Sequence, residues 1–523
     1  MSALSFTSEQ SSFIQDPSRI GIGFCRAGTG KTTCLEGYAR ANAHERILYV
    51  VFNRANREEA AQRFPSNTAV CTSHQLAMKF EGYKLQHKLR NGLRLRDIYN
   101  FLEMSNWSDA KLVENTLLRF LASSSSAITT EHCSIDARHA AKRDYILYGA
   151  KTLWLAMIDP NNPFQTTHDV YLKLYQLTKP DLSYFFDTIL FDEFQDANPV
   201  TADIICSQLC KLRFVGDDHQ QIYRFRGAVD ASKNLKDCEV SKHYFTQSFR
   251  FGPVIADLAN KILWHKGEQH LLRGLESICS KHVDALPKGH YTSIQRTISG
   301  TLEVAINSMK GGKKLWWVGG IKNYDLDSVL DVFYLSVERF DKIKNKRLLA
   351  EFKNYYQYKS IAKESTDHEM ELKVKLVEKY PNLPELVDAL TRSSLNDEEF
   401  ADVTVTTAHR AKGMEWSSVM IYDDFPDLTS DRLDDDGVID EINLLYVTLT
   451  RAINFVVTNS PIDVLLRLCS EGTTIWDHRE KVLTRKKDKP FQSIVNSADN
   501  VFFGAMATGR KSKLKLLDDE GNK

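Results

Sequence analysis

The run Ala27-Gly28-Thr29-Gly30-Lys31-Thr32, directly after the apolar segment Ile20–Phe24, constrains this chain more than any other stretch. Glycines let the backbone turn tightly with its N–H groups pointing inward, which makes a cradle for an anion. A helix beginning near Lys31 adds the positive end of its dipole to that cradle. In such a loop the backbone from Ala27 to Thr33 wraps phosphates, Lys31 reaches the β- and γ-phosphates, and the Thr32 hydroxyl can hold Mg2+. The general pattern opens with glycine where this chain has Cys25, a residue small enough for the same turn. Strand, loop and helix in that order belong at the carboxyl edge of a parallel sheet, so the expected fold class is α/β.

The rest of the chain fits that expectation. Ile20–Phe24, a helix from about Lys31, the apolar run Ile47–Phe52 and another helix give a βαβα rhythm. The rhythm stops at about residue 85, becomes helical to about 178 with a polar loop at Ser123–Ser126, and resumes at Thr188–Phe191 and Leu212–Gly216. A second α/β rhythm follows, with Leu315–Val318 as a strand ahead of Gly319-Gly320. It is broken by a charged helical stretch at 338–398 and returns at Val403–Thr407 and Val419–Asp423. The expected organisation is therefore a first sheet domain from 1–85 and 179–249 with a helical insertion at 86–178. A second sheet domain follows from 250–337 and 399–477, with a small helical insertion at 338–398. The tail at 478–523 is basic and reads as a solvated extension, with a nucleic-acid arm as the alternative.

Composition narrows the class. With 523 residues, 42% hydrophobic and 26% charged, the chain has the make-up of a multidomain globular protein. The apolar runs are too short to cross a bilayer. The start reaches Glu9 and Asp16 with no charged-then-apolar leader, so no secretory signal is expected. Nine scattered cysteines fit reduced thiols, and Cys206 and Cys210, four apart on an expected helix, read as buried thiols rather than metal ligands. The 68 basic and 68 acidic residues exclude binding of nucleic acid through bulk charge, but not through a local basic channel.

A nucleotide-hydrolysing site also needs a carboxylate at the end of a neighbouring strand. Ile189-Leu190-Phe191 followed by Asp192-Glu193 supplies it, with Asp192 for Mg2+ and Glu193 to polarise the attacking water. Beyond this pair come Phe194-Gln195-Asp196, then Gly216-Asp217-Asp218-His219-Gln220-Gln221-Ile222-Tyr223-Arg224-Phe225-Arg226-Gly227 and Thr246-Gln247-Ser248-Phe249-Arg250. Thr406-Thr407-Ala408-His409-Arg410-Ala411-Lys412-Gly413-Met414-Glu415-Trp416 and Asn443-Leu444-Leu445-Tyr446-Val447-Thr448-Leu449-Thr450-Arg451-Ala452 complete the series.

In order, these resemble the motifs of superfamily 1A helicases of the UvrD/Rep type, across roughly residues 6 to 455. The resemblance implies two RecA-like motor domains, ATP and Mg2+ as cofactors, and movement along single-stranded DNA. It implies that Arg250 and Arg451 act as arginine fingers, contacts worth roughly 10³–10⁵ in rate in other phosphoryl-transfer enzymes. It further implies that Gln220 senses the γ-phosphate, Gln10 reads adenine, Phe249 stacks on the base and Glu415 belongs to the same site. For the nucleic-acid track it implies Phe52, Asn53, Thr72, His74, Tyr223, Phe225 and His409, with ordinary core packing as the alternative for Phe52 and Phe225. The family's usual Thr-Phe-His is Thr72-Ser73-His74 here, and Asn443 stands where the sixth motif often has arginine.

Within the superfamily the wording resembles the F-box DNA helicase family. Phe64-Pro65-Ser66-Asn67, His168–Leu174, Thr246–Gly252, Gly319-Gly320-Ile321-Lys322 and Asp423-Asp424-Phe425 carry that resemblance. It implies 3′→5′ unwinding, 3′-tailed duplex DNA as substrate and dislodgement of a recombinase filament. A first motif at about residue 6 leaves no room for an F-box, so no ubiquitin-ligase role is expected. Two other readings stay open: a translocase that strips nucleoprotein complexes, including in anti-phage defence, and an RNA helicase. The expected location is the cytoplasm, in association with the nucleoid, if the chain is prokaryotic or viral, and the nucleus if it is eukaryotic.

Overall fold

The computed structural model describes residues 5–51, 54–235, 239–364 and 368–487. The chain divides between Thr246 and Gln247 into two compact units, each built on its own sheet. Phe52, Asn53 and residues 488–523 of the basic tail lie outside the described residues. The first part of that tail, 478–487, continues helix Ile475–Lys487 and carries the buried Arg479, which donates to Leu428 O at 2.6 Å.

The first unit has the strands β1 (Ile20–Cys25), β2 (Ile47–Val51), β3 (Thr68–Thr72), β4 (Thr188–Asp192), β5 (Lys211–Gly216) and β6 (Ser241–Phe245). They pair in the order β3-β2-β4-β5-β1-β6, all parallel. The central strands are apolar on both faces because helices cover both faces, and β2 is buried throughout. The edge strands β3 and β6 are half polar, which is why no apolar run announced them.

Four helices, Leu95–Phe101, Trp107–Leu121, Ala140–Ile158 and His168–Leu177, lie between β3 and β4 in sequence. The first three enclose a core of their own around Ile98, Val113, Leu117, Phe120, Ile146 and Leu153, to which the fourth adds Val170 while its Tyr171, Leu172 and Tyr175 pack with the sheet. A different cluster, including Ile22, Leu48, Ile189 and Phe214, packs the sheet. The Ser123–Ser126 loop is tied down by the buried Lys173, whose Nζ donates to the carbonyls of Ser123 (2.8 Å) and Ser125 (2.5 Å). The same ammonium sits 4.5 Å from the centre of the Phe120 ring.

The second unit has β7 (Lys281–His282), β8 (Tyr291–Gln295), β9 (Leu315–Trp317), β10 (Val403–Thr407), β11 (Trp416–Ile421) and β12 (Ala452–Val457). Their order is β7-β12-β11-β8-β10-β9, again all parallel. β8 escaped the sequence pattern because its buried positions are polar: Thr292, Ser293 and Gln295 are inaccessible, and Gln295 donates to Ser293 Oγ at 2.6 Å. β11 starts and ends earlier than the expected Val419–Asp423, because Asp423 and Asp424 turn away to anchor two helices. Asp423 accepts from the Ser460 amide at 3.0 Å and hydroxyl at 2.7 Å, at the start of helix Ser460–Ser470. Asp424 accepts from the amides of Arg296 (2.7 Å) and Thr297 (3.0 Å) and from Thr297 Oγ1 (2.8 Å), at the start of helix Ile298–Lys310.

Between β9 and β10 the helices Lys346–Glu351, Tyr355–Glu364, His368–Lys379 and Leu383–Ser393 share one core with the sheet. Tyr358, Val377, Leu383 and Leu390 belong to the same cluster as Leu302, Trp317, Val332 and Val405. Cys206 ends helix Pro199–Cys206, whereas Cys210 lies beyond it, correcting the expected shared helix. Gln208 ends the helix by bonding Ile204 O (2.6 Å) and Pro180 O (2.8 Å). Both are reduced thiols, half-buried rather than fully buried. Among the described residues no helix is long and apolar enough to cross a membrane.

Two measurements probe this packing. Asp424→Ala strips a helix start of charge-assisted hydrogen bonds and should cost about 2–3 kcal/mol in urea unfolding. Gly300→Ala should act in the same direction, because its Cβ would meet Asp424 Oδ2 at 2.0 Å. Burial pushes the Lys173 ammonium down to about 8, so above that pH the folded chain has lost a proton the unfolded chain keeps. Stability contributed by this group should therefore rise from about pH 8 toward the ordinary lysine value, and Lys173→Met should flatten that rise.

Candidate nucleotide and nucleic-acid site

In a parallel sheet every strand ends on the same edge, so residues far apart in sequence meet where the strands stop. The first unit uses this fully. β1 ends at the phosphate loop, β4 at Asp192-Glu193 and β5 at Gly216-Asp217, and β5 lies between the other two. Gly28 and Gly30 both take φ +75°, the left-handed region that glycine enters without strain. Gly30 then starts helix Lys31–Ala41, whose first turn presents Lys31, Thr32 and Thr33. Ala27 and Thr29 are buried at the base of the loop, and Thr29 Oγ1 donates to Arg26 O at 2.8 Å.

Lys31 Nζ donates to Glu193 Oε1 at 2.9 Å, and Thr32 Oγ1 to Asp192 Oδ2 at 3.1 Å. Tyr49, on β2, donates its hydroxyl to the same Asp192 oxygen at 3.0 Å. Burial alone would lower the Lys31 pKa, but the Glu193 and Asp192 carboxylates outweigh it and keep the ammonium charged well above its ordinary range. Burial, reinforced by the Glu193 charge, raises Asp192 above the usual carboxylate value. A carboxylate disfavoured in this way gains from a further cation. The hydroxyl of Thr32 and the carboxylate of Asp192 are hard oxygen donors that fit Mg2+. Two protein oxygens would leave the rest of an octahedral Mg2+ shell to phosphate oxygens and water.

Glu193 itself has φ +54°, an uncommon and strained conformation outside glycine. Its surroundings impose that geometry. Its amide donates to Asp192 Oδ1 at 2.8 Å, Lys31 holds one carboxylate oxygen, and Gln195 Nε2 donates to the other at 2.5 Å. Gln195 Oε1 in turn accepts from the Asp217 amide at 3.0 Å. Asp217 Oδ2 accepts from Gln220 Nε2 at 2.7 Å, so the Gln220 side chain is joined to Glu193 through buried groups. Gln10 is buried against the loop: Nε2 donates to Thr29 O at 2.9 Å and Oε1 accepts from the Thr7 amide at 3.0 Å.

The residues expected to contact nucleic acid fall nearby in the same unit. Thr72 caps helix Ser73–Phe80 in a reciprocal box with Gln75. His74 Nε2 lies 3.2 Å from Asp169 Oδ1, joining the end of β3 to helix His168–Leu177. Tyr223 and Phe225 are 6.5 Å apart between ring centres, and Phe225 is 67% exposed, which excludes the core-packing alternative for it. A cavity of about 330 Å³ is lined by Ser73, His74 and Tyr223 together with Asp192 and Glu193.

The second unit gathers a separate set. Arg250 donates through Nε to Glu415 Oε2 at 2.5 Å and through Nη1 to Thr450 O at 3.2 Å. Arg451 is buried, with Nε on Val447 O at 2.8 Å and Nη1 on Met414 O at 3.2 Å. Phe249, beside Arg250, is 45% exposed. Glu415 and Arg451 immediately precede β11 and β12, whereas His409 follows β10 on a short helix, so they occupy opposite ends of the sheet. Asn443 is buried and accepts from Lys266 Nζ at 2.6 Å, a cation supplied by another part of the chain.

A phosphate loop, a strand-end carboxylate pair and a second parallel sheet define a nucleoside-triphosphate-binding protein of the phosphate-loop class. The chain belongs to the UvrD/Rep family of helicases: the UvrD/REP helicase N-terminal domain matches residues 24–239 and the UvrD-like helicase C-terminal domain residues 155–456. It is 33% identical over 498 residues to F-box DNA helicase 1 of Gallus gallus, covering 85% of this chain and 48% of that protein. It is 28% identical over 523 residues to F-box DNA helicase protein 1 of Schizosaccharomyces pombe, covering 88% and 58%. A probable DNA helicase of Mycoplasma pneumoniae is 27% identical over 282 residues, or 51% of this chain and 42% of that protein. The chain thus spans about half the length of the first two relatives.

Sequence reasoning singled out neither Tyr49, Gln195, Asp217 nor Arg26 as site residues. Gln195 and Asp217 lay inside quoted motifs, and only the fold shows that one bonds the other. Gly216 gives a test of that bond: a Cβ there would meet Gln195 Oε1 at 2.4 Å and Phe194 at 2.6 Å. Gly216→Ala should cost about 1–3 kcal/mol in thermal unfolding, and an unchanged midpoint would contradict the packing described.

Proposed function

We propose that this chain is an ATP-dependent 3′→5′ DNA helicase or translocase on single-stranded DNA, working in repair, recombination control or replication. The observation that carries the reading is the cavity in which Asp192 and Glu193 share walls with His74 and Tyr223. It puts groups suited to phosphate chemistry beside groups suited to a nucleotide strand. Strand-stacking aromatics are worth roughly 1–3 kcal/mol per base, enough for sequence-independent grip.

In this reading the loop from Ala27 to Thr33 holds the phosphates, and Thr32 and Asp192 would hold Mg2+, which supplies charge neutralisation when bound. Lys31 exchanges Glu193 for the γ-phosphate, which releases the Glu193 carboxylate to orient the attacking water. Gln220 senses the phosphate and passes its state along the segment that carries Tyr223 and Phe225. Gln10 reads adenine, Phe249 and Glu415 contact the nucleotide, and Arg250 and Arg451 serve as phosphate contacts. His74, Thr72, Tyr223, Phe225 and His409 bind the strand, as do Phe52 and Asn53. The sheet-and-insertion boundaries given above are proposed as the motor domains and their appendages.

A second reading, a translocase that strips proteins from DNA with little unwinding of its own, draws on the small insertion at 338–398. Its helices are cored on the sheet rather than on themselves.

Lys31→Ala and Glu193→Gln should each lower DNA-stimulated ATP hydrolysis by about 10²-fold or more while thermal unfolding stays cooperative. Hydrolysis at the wild-type rate in either variant would overturn the site. Strand displacement on duplexes with 3′ or 5′ tails reads the polarity. Recombinase clearing without displacement would favour the second reading, and stronger stimulation by RNA than by DNA oligomers would replace the substrate.

A further inference from the structure

Arg26 sits within the phosphate loop, immediately before Ala27, yet only 2% of it is exposed. Its Nη1 lies 3.4 Å from Asp217 Oδ1 and 3.0 Å from Asp218 Oδ1. Asp217 is inaccessible, and Asp218 is 39% exposed at its side chain. The Arg26 backbone is equally committed: its amide donates to Phe245 O at 3.0 Å, and its carbonyl accepts from the Thr29 amide at 3.3 Å and hydroxyl at 2.8 Å.

A buried ion pair is an expensive way to fill space, and apolar residues of similar volume are often as stable or more so. The pair therefore calls for an explanation other than stability. Asp217 bonds Gln220 Nε2 through one oxygen and, through the other, meets Arg26 and the His219 amide (3.1 Å). The same stretch continues to Gln221, whose Nε2 donates to Gln195 O at 2.7 Å, and on to the tilted pair Tyr223 and Phe225. Two carboxylates beside a phosphate loop would also repel an incoming polyphosphate, and the guanidinium offsets that charge.

We propose that Arg26 is a positioning residue that locks the phosphate loop to the Asp217–Gln220 segment, so that strand binding at Tyr223 and Phe225 is felt at the phosphates. The proposal rests on the ATPase reading given above. Arg26 does not touch the reacting atoms; it acts through Asp217 and, through Asp217, on Gln220.

The test compares ATP hydrolysis by the full chain, with and without a saturating single-stranded DNA oligomer, for Arg26→Met, Arg26→Lys, Asp218→Asn and the double variant Arg26→Met/Asp218→Asn. The ratio of stimulated to unstimulated rate should fall about tenfold in Arg26→Met, the size of an ordinary coupling between sites. Arg26→Lys should recover part of the ratio, because a single charge can still reach Asp218. Asp218→Asn should lower the ratio less, and its effect should vanish on the Arg26→Met background. A merely structural arginine would lower both rates together and leave the ratio unchanged, which would overturn the proposal. If Arg26→Met fails to fold, Asp218→Asn carries the test, and a wild-type ratio there would also overturn it. A wild-type chain with no DNA stimulation would instead sink the ATPase reading itself.

Discussion

One ammonium permits two neighbouring carboxylates to stand at the end of a buried strand. Asp192 and Glu193 follow an apolar strand whose preceding residues are inaccessible, and burial together with the Glu193 charge raises the proton affinity of Asp192. Lys31 reaches across from the phosphate loop and neutralises half of that charge. Thr32 and Tyr49 add hydrogen bonds to the remaining carboxylate. The strained backbone of Glu193 persists for the same reason: Lys31 and Gln195 grip both of its oxygens. The loop, the strand end and their connecting groups therefore form one electrostatic unit, in which a divalent cation would offset the negative charge that a polyphosphate adds.

How much of this was legible in the sequence depends on which physical signal each part leaves. The phosphate loop was legible because glycine, lysine and threonine are required by type at fixed spacing. The first sheet was legible from β1, β2, β4 and β5, which read as short apolar runs, and the second in part, from β9, β10 and β11. β3, β6 and β8 left no such run. The first two are edges, and β8 is a central strand that satisfies its polar groups internally through pairs such as Gln295 and Ser293. Asp423-Asp424-Phe425 was legible as a motif but not as a device. Only the fold reveals two adjacent carboxylates capping two different helices.

The hydrogen-bonded links from Glu193 to Gln195, Asp217 and Gln220 mark the boundary of what a linear reading can deliver. Each residue lies in a recognisable stretch, but the links run across strands, from the end of β4 to the end of β5. Gly216 is the clearest case. It takes no unusual backbone angle, and its lack of a side chain matters only because the Gln195 amide passes over it. Arg26 is the opposite case, a lone arginine with no motif value whose place between β1 and β5 gives it two acidic partners.

The two helical insertions differ in a way that bears on what each can do. A body with its own core can shift on its connections without exposing apolar surface, whereas helices cored on a sheet cannot. The helices Leu95–Phe101, Trp107–Leu121 and Ala140–Ile158 enclose Phe120, Ile146 and Leu153 among themselves, whereas His168–Leu177 also puts Tyr171, Leu172 and Tyr175 into the sheet's cluster, and His74 with Asp169 adds a polar contact there. The helices between β9 and β10 contribute Tyr358, Leu383 and Leu390 to the cluster that holds Trp317 and Val405. Moving them away would uncover that cluster, at roughly 25 cal/mol for every Å² of apolar surface exposed. Rearrangement is thus costly for His168–Leu177 and for the second insertion, and less so for the three helices from Leu95 to Ile158. Only those three helices can shift while the sheet's apolar cluster stays covered.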